Sequence, residues 1–261
     1  MRKSPFAALD QQFGKRRPEV EPTVRWIRVR FGGQVIADSR QALLLLQYAP
    51  DRMPTYYFPQ ADVQMETLSP SAEADAAGEV SWRNVQVGDR IAADAAWIAL
   101  KPPASLASLT GYVSFAWHKM DGWFEEEEEV FVHARDPHQR VDVVPSSRHV
   151  RIVVNGETIA ETRRPFVLFE TTLPPRYYIP REDVRMDRLE PTDLKTRCPY
   201  KGTASYWNVR AGDRLAQNIV WSYLDPIPEC PKIKNLLSFY NEHVDLYVDG
   251  ELQTRPKSPW S

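Results

Sequence analysis

Short runs in which apolar and polar residues alternate recur along the chain, and glycine, proline or asparagine separates them. In one such run Val150, Ile152 and Val154 occupy alternate positions, and this period of two is typical of a β-strand with one buried face. Asn155 and Gly156 follow directly, and both tolerate the positive φ angles of a two-residue hairpin turn. The same reasoning predicts further strands and turns at 56–58, 80–87, 91–97, Gly88-Asp89 and Gly212-Asp213.

The two halves of the chain repeat one another. Residues 34–40 correspond to 157–163, residues 56–65 to 177–186, and residues 84–97 to 208–221, in the same order and at nearly constant spacing. A repeat of this length is the size of a domain rather than of a solenoid unit. We therefore predict a mostly β protein with a minor helical content, made of two tandem copies of a small domain, each a bent sheet or partial barrel.

Each copy is also predicted to contain one short helix. Apolar and aromatic residues at helical spacing in both copies support it: Leu109, Tyr112, Val113, Ala116 and Met120, and then Ile233, Leu236, Leu237, Tyr240 and Val244. We place the first domain at 23–144 and the second at 145–261, with a polar turn near Val144–Ser147 between them. Residues 1–22 show little periodicity and are predicted to be a flexible arm. We expect the two domains to pack on each other.

Bulk composition excludes several classes of function. The formal net charge is -2 and the pI is about 6.2, so nothing drives a general attraction to nucleic acid or to anionic membranes. No apolar run approaches the roughly 20 residues of a membrane-spanning helix, and no signal peptide is evident. The chain has two cysteines, fewer than a disulfide framework would need, and we therefore expect a cytoplasmic protein.

Several motifs carry a resemblance to a known family. The second copy resembles the DUF427 family in the segment Cys198–Trp207, which begins Cys-Pro-Tyr-Lys-Gly, and in residues 177–184 and 221–226 on either side of it. The first copy resembles the same family in the segment Trp123–Pro137. The resemblance covers about 24–252 as two units. It implies a compact, mostly β domain of roughly 90–120 residues, a size that can fold alone, and it implies no established activity. A nucleotidyltransferase-like label is sometimes attached to the family, but the chain lacks the Gly-Ser and paired carboxylates for that chemistry.

The two copies differ from the family pattern in complementary ways. The second copy keeps the Cys-Pro-Tyr-Lys-Gly loop at 198–202 but lacks the glutamate run. The first copy keeps that run at Glu125–Glu129, with His133 and His138 after it, but its loop is shorter and has lost the cysteine, tyrosine and lysine. A site that draws on both elements would be split here or assembled across the two copies.

Cys198 is the candidate nucleophile, because a thiolate is nucleophilic and a nearby lysine stabilises the anion. Lys201 lies three positions away, and His243 or Glu190 would supply a base. The alternative is an inert, half-buried thiol in a turn, with Lys201 in solvent. The residues predicted to bind a ligand beside this pair are aromatic or basic: Tyr177, Tyr178, Arg185, Tyr200 and Tyr206.

The leading hypothesis is a pocket in the second domain for a polar or anionic small molecule, with or without enzymatic turnover, since pockets combine an apolar wall with a few polar groups. In the alternative the aromatic residues are sheet core, and the protein is a structural or protein-interaction module. The glutamate run has no recognisable metal-ligand spacing and is interpreted as a solvated charge run. No cofactor is indicated. A Cys198–Cys230 disulfide would require Cα atoms within about 7 Å.

Overall fold

The computed structural model describes residues 2–7, 17–47 and 52–258. It divides the chain into two compact units, Met1–Asp136 and Pro137–Ser261, here called the first and second domain. The strands of the first domain are β1 (Glu19–Pro22), β2 (Ile27–Phe31), β3 (Gln34–Ser39), β4 (Leu43–Leu46), β5 (Thr55–Tyr57), β6 (Leu68–Pro70), β7 (Val80–Val87), β8 (Arg90–Ala99), β9 (Val113–Phe115), β10 (Gly122–Glu125) and β11 (Glu128–Val130). Those of the second are β12 (Val141–Pro145), β13 (Val150–Val154), β14 (Glu157–Thr162), β15 (Phe166–Glu170), β16 (Arg176–Ile179), β17 (Leu189–Cys198), β18 (Gly202–Ala211), β19 (Arg214–Pro226), β20 (Leu237–Phe239), β21 (Asp245–Val248) and β22 (Glu251–Leu252).

The second domain contains two open sheets, and the first domain repeats their strand order in three. In the second domain the larger sheet runs β12-β15-β16-β20-β19-β18-β17 and the smaller sheet runs β14-β13-β21-β22. The first domain repeats the smaller sheet as β3-β2-β10-β11, and its larger sheet is divided into β1-β4-β5 and β9-β8-β7-β6. Phe58 and Val113 join these two parts by exchanging backbone hydrogen bonds of 2.7 and 2.9 Å. The predicted tandem, mostly β architecture is confirmed.

The opening hairpin of each domain follows from its turn residues. Asn155 and Gly156 have φ of 49° and 82° between β13 and β14, the mirror-image turn that matches the twist of a hairpin. Gly32 and Gly33 take φ of 59° and 80° at the same place in the first domain. A Cβ on Gly32 would lie 2.7 Å from the Cβ of Val87, so glycine is required there for close approach as well as for its backbone angle.

The larger sheet has two covered faces. Successive side chains of a strand point to opposite faces, and in β16 Tyr177 and Ile179 belong to the core between the two sheets, which also contains Ile152 and Leu246. Tyr178 points the other way into a second cluster on the outer face. The first domain has the same pair of clusters. The outer face is where the candidate chemical groups of the second domain lie.

The predicted helices are wrong. Residues 233–244 contain the end of a 3-10 turn at Pro231–Ile233, an Asn235 with φ of 61°, and strand β20. β20 pairs with β16 and β19, so pairing within the sheet overrides an apolar spacing that also fits a helix. The helical segments described are all short 3-10 turns: Gln60–Asp62, Met65–Thr67, Ala104–Leu109, Trp117–Lys119, Arg181–Asp183, Met186–Arg188 and Pro231–Ile233. Within the described residues no helix is long and apolar enough to cross a membrane.

The ends of the domains also differ from the predicted ranges. β1 pairs with β4 and β12 pairs with β15, so each domain begins with an edge strand of its larger sheet. β12 therefore places the start of the second domain before the predicted boundary at 144–145. Of the arm predicted over 1–22, residues 1 and 8–16 lie outside the described residues, whereas Phe6 is 2% exposed and stacks on Tyr57 at 6.1 Å.

Candidate functional site

The Cys-Pro-Tyr-Lys-Gly segment forms a tight turn at the edge of the larger sheet. β17 ends at Cys198 and β18 begins at Gly202, and these two residues are paired. The amide of Lys201 donates to the carbonyl of Cys198 at 3.3 Å, and the amide of Ile227 donates to the carbonyl of Lys201 at 3.2 Å. Gly202 has φ of +104°, and a Cβ there would lie 3.3 Å from the Asp225 carbonyl oxygen. Glycine therefore allows the turn to pack against the end of β19.

Lys201 is buried, with 9% of its surface exposed. Its Nζ forms an ion pair with the Glu170 carboxylate on β15, whose side chain is 7% exposed, and it interacts electrostatically with Cys198. Burial alone would lower the pKa of Lys201, but the neighbouring Cys198 and Glu170 groups outweigh it and hold the pKa above its ordinary value. The interpretation of Lys201 as a solvated residue is therefore wrong.

Tyrosine side chains surround this pair on the outer face. Burial raises the pKa of Tyr178 and of Tyr223 above the ordinary range, so both phenols stay protonated at neutral pH. The Tyr178 hydroxyl accepts a 3.1 Å hydrogen bond from the indole of Trp221. The Tyr206 hydroxyl lies 2.8 Å from Thr196 Oγ1 and also hydrogen-bonds Tyr240. The outer face thus combines buried, hydrogen-bonded tyrosines with one buried ion pair.

Cys230 belongs to the same cluster. It is 3% exposed and packs with Tyr178 and Tyr223 on the outer face. Burial raises the pKa of its thiol to about 11, and the positive charge of Lys201 opposes part of that rise. Cys198 is only half-buried, and both thiols are free. One face of the sheet therefore carries both cysteines of the chain, one more accessible than the other.

The first domain has replaced this polar set while keeping the fold. Equal strand register aligns Glu170 with Gln47, and equal spacing aligns Lys201 with Ala77. Tyr57 and Trp97 keep the hydrogen bond made by Tyr178 and Trp221, at 3.2 Å, so that pair is part of the framework. The remaining replacements make the face more apolar: Tyr206 becomes Trp82, Tyr223 becomes Ala99, and Cys230 becomes Leu106.

The structure brings together only part of the predicted ligand site. Cys198, Lys201, Tyr178 and Tyr206 share the outer face, although Tyr178 is 1% exposed and is not presented to solvent. Tyr200 is half-buried within the turn.

The other two predicted ligand residues lie elsewhere. Tyr177 points into the core between the sheets and lines a cavity of about 150 Å³ with Asn241 and residues near 174–175 and 253–256. Arg185 is exposed and hydrogen-bonds Asp187 at 2.8 and 3.0 Å. Opposite strand faces separate Tyr177 from Lys201, because neighbouring residues of β16 point to opposite sides.

Sequence reasoning missed two buried acidic residues in the second domain. Glu170 follows an apolar strand segment, and nothing in its local sequence distinguishes it from a strand end. Glu242 pairs with Arg176 through two 2.7 Å hydrogen bonds. Burial alone would raise the pKa of Glu242, but the hydrogen bonds from Arg176 and Ser258 hold it below its ordinary value. Pairs so distant in sequence can be identified only in the folded sheet.

The sequence predicts a solvated glutamate run in the first domain, but one of its residues, Glu125, is buried. Glu125 is 4% exposed, accepts a 2.7 Å hydrogen bond from Tyr56, and pairs with Arg25. Glu125–Glu128 line an open depression of about 540 Å³ with Arg25 and Arg135. Tyr56 faces the core between the sheets of the first domain, so Glu125 borders that core, whereas the cysteine turn of the second domain borders the outer-face cluster of its own domain. Among the described residues, no cluster of three or more His, Cys, Asp or Glu side chains is arranged to hold a metal.

These features define a class of protein: a tandem two-sheet β protein in which each copy has kept a different polar cluster. The sequence profile described as "Domain of unknown function (DUF427)" matches residues 19–126 and 142–250. The chain therefore belongs to the DUF427 family and contains two copies of its domain, which confirms the resemblance. No curated protein matches the chain.

Proposed function

We propose that the second domain binds a polar or anionic small molecule beside the Cys198–Lys201 turn, with Cys198 as the reactive group. The observation that carries this proposal is the buried Lys201–Glu170 ion pair in contact with a half-exposed thiol. A lysine beside a cysteine stabilises the thiolate that acts as nucleophile.

The first domain supports a functional origin for this cluster. Replacing a buried ion pair by neutral or apolar residues is often neutral or stabilising. Gln47 and Ala77 stand in the first domain where Glu170 and Lys201 stand in the second, so the fold forms without the pair. Retention of the pair in the second domain is therefore better explained by chemistry at Cys198 than by stability.

Electrostatics and packing indicate the kind of ligand. Glu170 pairs with Lys201 within the sheet, and exposed Arg197, which precedes Cys198 on β17, adds positive charge beside the turn. Tyr200 in the turn and Tyr206 on the outer face add aromatic rings with hydroxyl groups to this neighbourhood. A ligand of modest size with polar or anionic groups fits this combination better than a purely apolar one.

The test is the rate at which iodoacetamide alkylates Cys198 in the full chain, followed by mass spectrometry of the Cys198 peptide. We expect alkylation of the wild type to be faster than that of Lys201→Ala, and we expect Lys195→Ala to behave like the wild type. Lys195 is the matched control because its Nζ donates to Ser205 at 2.6 Å rather than to the Cys198 cluster.

Protection from alkylation identifies the ligand class. The wild type is incubated with inorganic phosphate, nucleoside monophosphates and dicarboxylates before iodoacetamide is added, and at least one class should slow the reaction. Equal alkylation rates in the wild type and Lys201→Ala, with protection by none of these compounds, would reject the proposal. That result would favour the alternative of a structural or protein-interaction module.

A further inference from the structure

The placement of both cysteines around Lys201 leads beyond ligand binding. Three backbone hydrogen bonds form a continuous chain: Lys201 to the Cys198 carbonyl at 3.3 Å, Ile227 to the Lys201 carbonyl at 3.2 Å, and Cys230 to the Ile227 carbonyl at 2.9 Å. Cys198 thus begins one tight turn and Cys230 ends another, and the hydrogen bond between Ile227 and Lys201 joins the two turns. Lys201 interacts electrostatically with both sulfur atoms.

We propose that Cys198 and Cys230 form a reversible dithiol–disulfide pair that is oxidised by a hydroperoxide. This inference does not depend on the proposed small-molecule ligand. It requires only that a hydroperoxide reaches Cys198 and that the two turns approach each other until their Cα atoms are within about 7 Å, the limit for a disulfide.

The two thiols differ in accessibility, and this difference separates their roles. Cys198 is half-buried and interacts electrostatically with Lys201, whereas Cys230 is 3% exposed and burial raises the pKa of its thiol to about 11. A reactive cysteine lies in an accessible, electropositive environment, and a buried apolar one reacts slowly with solutes. Cys198 is therefore the residue that meets the oxidant, and Cys230 is the residue that resolves the product.

The chemistry balances in two steps. The Cys198 sulfur attacks the O–O bond of a hydroperoxide, forms an S–O bond, and releases the corresponding alcohol, or water from hydrogen peroxide. The resulting sulfenic acid is attacked by the Cys230 sulfur, so that the S–S bond forms, the S–O bond breaks, and the sulfenic hydroxyl leaves as water with the Cys230 proton. Two equivalents of a small thiol then reduce the disulfide and are themselves oxidised to a disulfide.

The first domain contains a natural comparison. Leu106 occupies the position of Cys230, Ala77 that of Lys201, and the shortened loop has no cysteine. The replacement by Leu106 shows that this buried position accepts a purely apolar side chain. A thiol is therefore not required there for the fold.

The experiment treats the reduced full chain with stoichiometric hydrogen peroxide, blocks the remaining thiols, and maps peptides by mass spectrometry without reduction. We expect a crosslinked peptide pair that contains Cys198 and Cys230 and has lost the mass of two hydrogen atoms. In Cys230→Ala we expect Cys198 sulfenic acid to accumulate and to be trapped by dimedone. Lys201→Met should slow oxidation of Cys198 by roughly tenfold, equivalent to one lost charge interaction.

The measurement on the wild type stands whether or not the variants fold. Oxidation of Cys198 to sulfinic acid in the wild type at the rate found in Cys230→Ala, without the crosslinked pair, would overturn the inference. Leu106→Cys in a Cys230→Ala background is the matched control, and its new thiol should stay reduced. Loss of the crosslink with retained ligand protection of Cys198 would reject this inference alone, whereas a crosslink without any protecting compound would reject only the proposed function.

Discussion

The buried Lys201–Glu170 pair allows a double-mutant test in which the first domain supplies the design. Lys201→Ala leaves the Glu170 carboxylate, whose side chain is 7% exposed, without its counter-ion. Removing one partner of a buried ion pair costs about 3–5 kcal/mol. That is a large share of the roughly 5–15 kcal/mol that separates a folded domain from its unfolded state.

The double variant Lys201→Ala/Glu170→Gln reproduces the Ala77 and Gln47 found in the first domain. It leaves no buried, unpaired charge, so we expect it to be more stable than Lys201→Ala, with a coupling energy between the two substitutions of about 1–3 kcal/mol, the usual range for residues in contact. Native-state hydrogen exchange with mass spectrometry measures this, because peptides of 137–258 report the second domain and those of 17–47 and 52–136 serve as the internal reference.

Two results would refute the reasoning. If Lys201→Ala costs less than about 1 kcal/mol, the pair is hydrated in solution rather than buried. If the double variant loses the sum of the two single losses, Lys201 and Glu170 do not interact energetically, and the argument from the first domain fails.

Three further predictions concern other buried contacts. Arg176→Leu should destabilise the second domain by about 3–5 kcal/mol. In the wild type the depressed pKa of Glu242 stabilises the folded state at neutral pH, and this stabilisation is lost as the pH falls below the ordinary value of 4.5 and through the folded pKa. Urea unfolding measured against pH should therefore show a shallower acid dependence in the variant. Gly202→Ala, with φ of +104° and a close carbonyl, should cost about 1–3 kcal/mol in urea unfolding. Tyr56→Phe, which removes the bond to Glu125, should cost about 1.5–3 kcal/mol by hydrogen exchange of first-domain peptides.

Each of these has a control in the chain. Arg185→Leu removes an exposed ion pair and should change stability by less than about 1 kcal/mol. Gly212→Ala has a positive φ but no atom within 4 Å of its Cβ, so its cost should be about 1–2 kcal/mol at most. Tyr177→Phe corresponds to Tyr56→Phe in a domain where Val248 replaces the glutamate, and its effect should be smaller. A control variant as damaging as its test variant would contradict the assigned contact.

The sequence by itself determined many of the strands, the opening hairpin turns and the duplication. Alternation along β13, the positive-φ turn at Asn155 and Gly156, and the repeated motifs are local or one-dimensional features, and each was found in the structure. The adjacent tyrosines Tyr177 and Tyr178 also indicate two sheet faces once a strand is predicted, since neighbouring residues alternate.

The tertiary structure decided which groups meet. β20 pairs with β16 and β19 instead of forming a helix, because hydrogen bonds to strands distant in sequence outweigh a local apolar spacing. The same non-local pairing brings Glu170 to Lys201 across 31 positions and sets Cys230 beside the turn that begins at Cys198. Periodicity shows which residues share a face, whereas the order of strands in the sheet determines which faces and which charges come into contact.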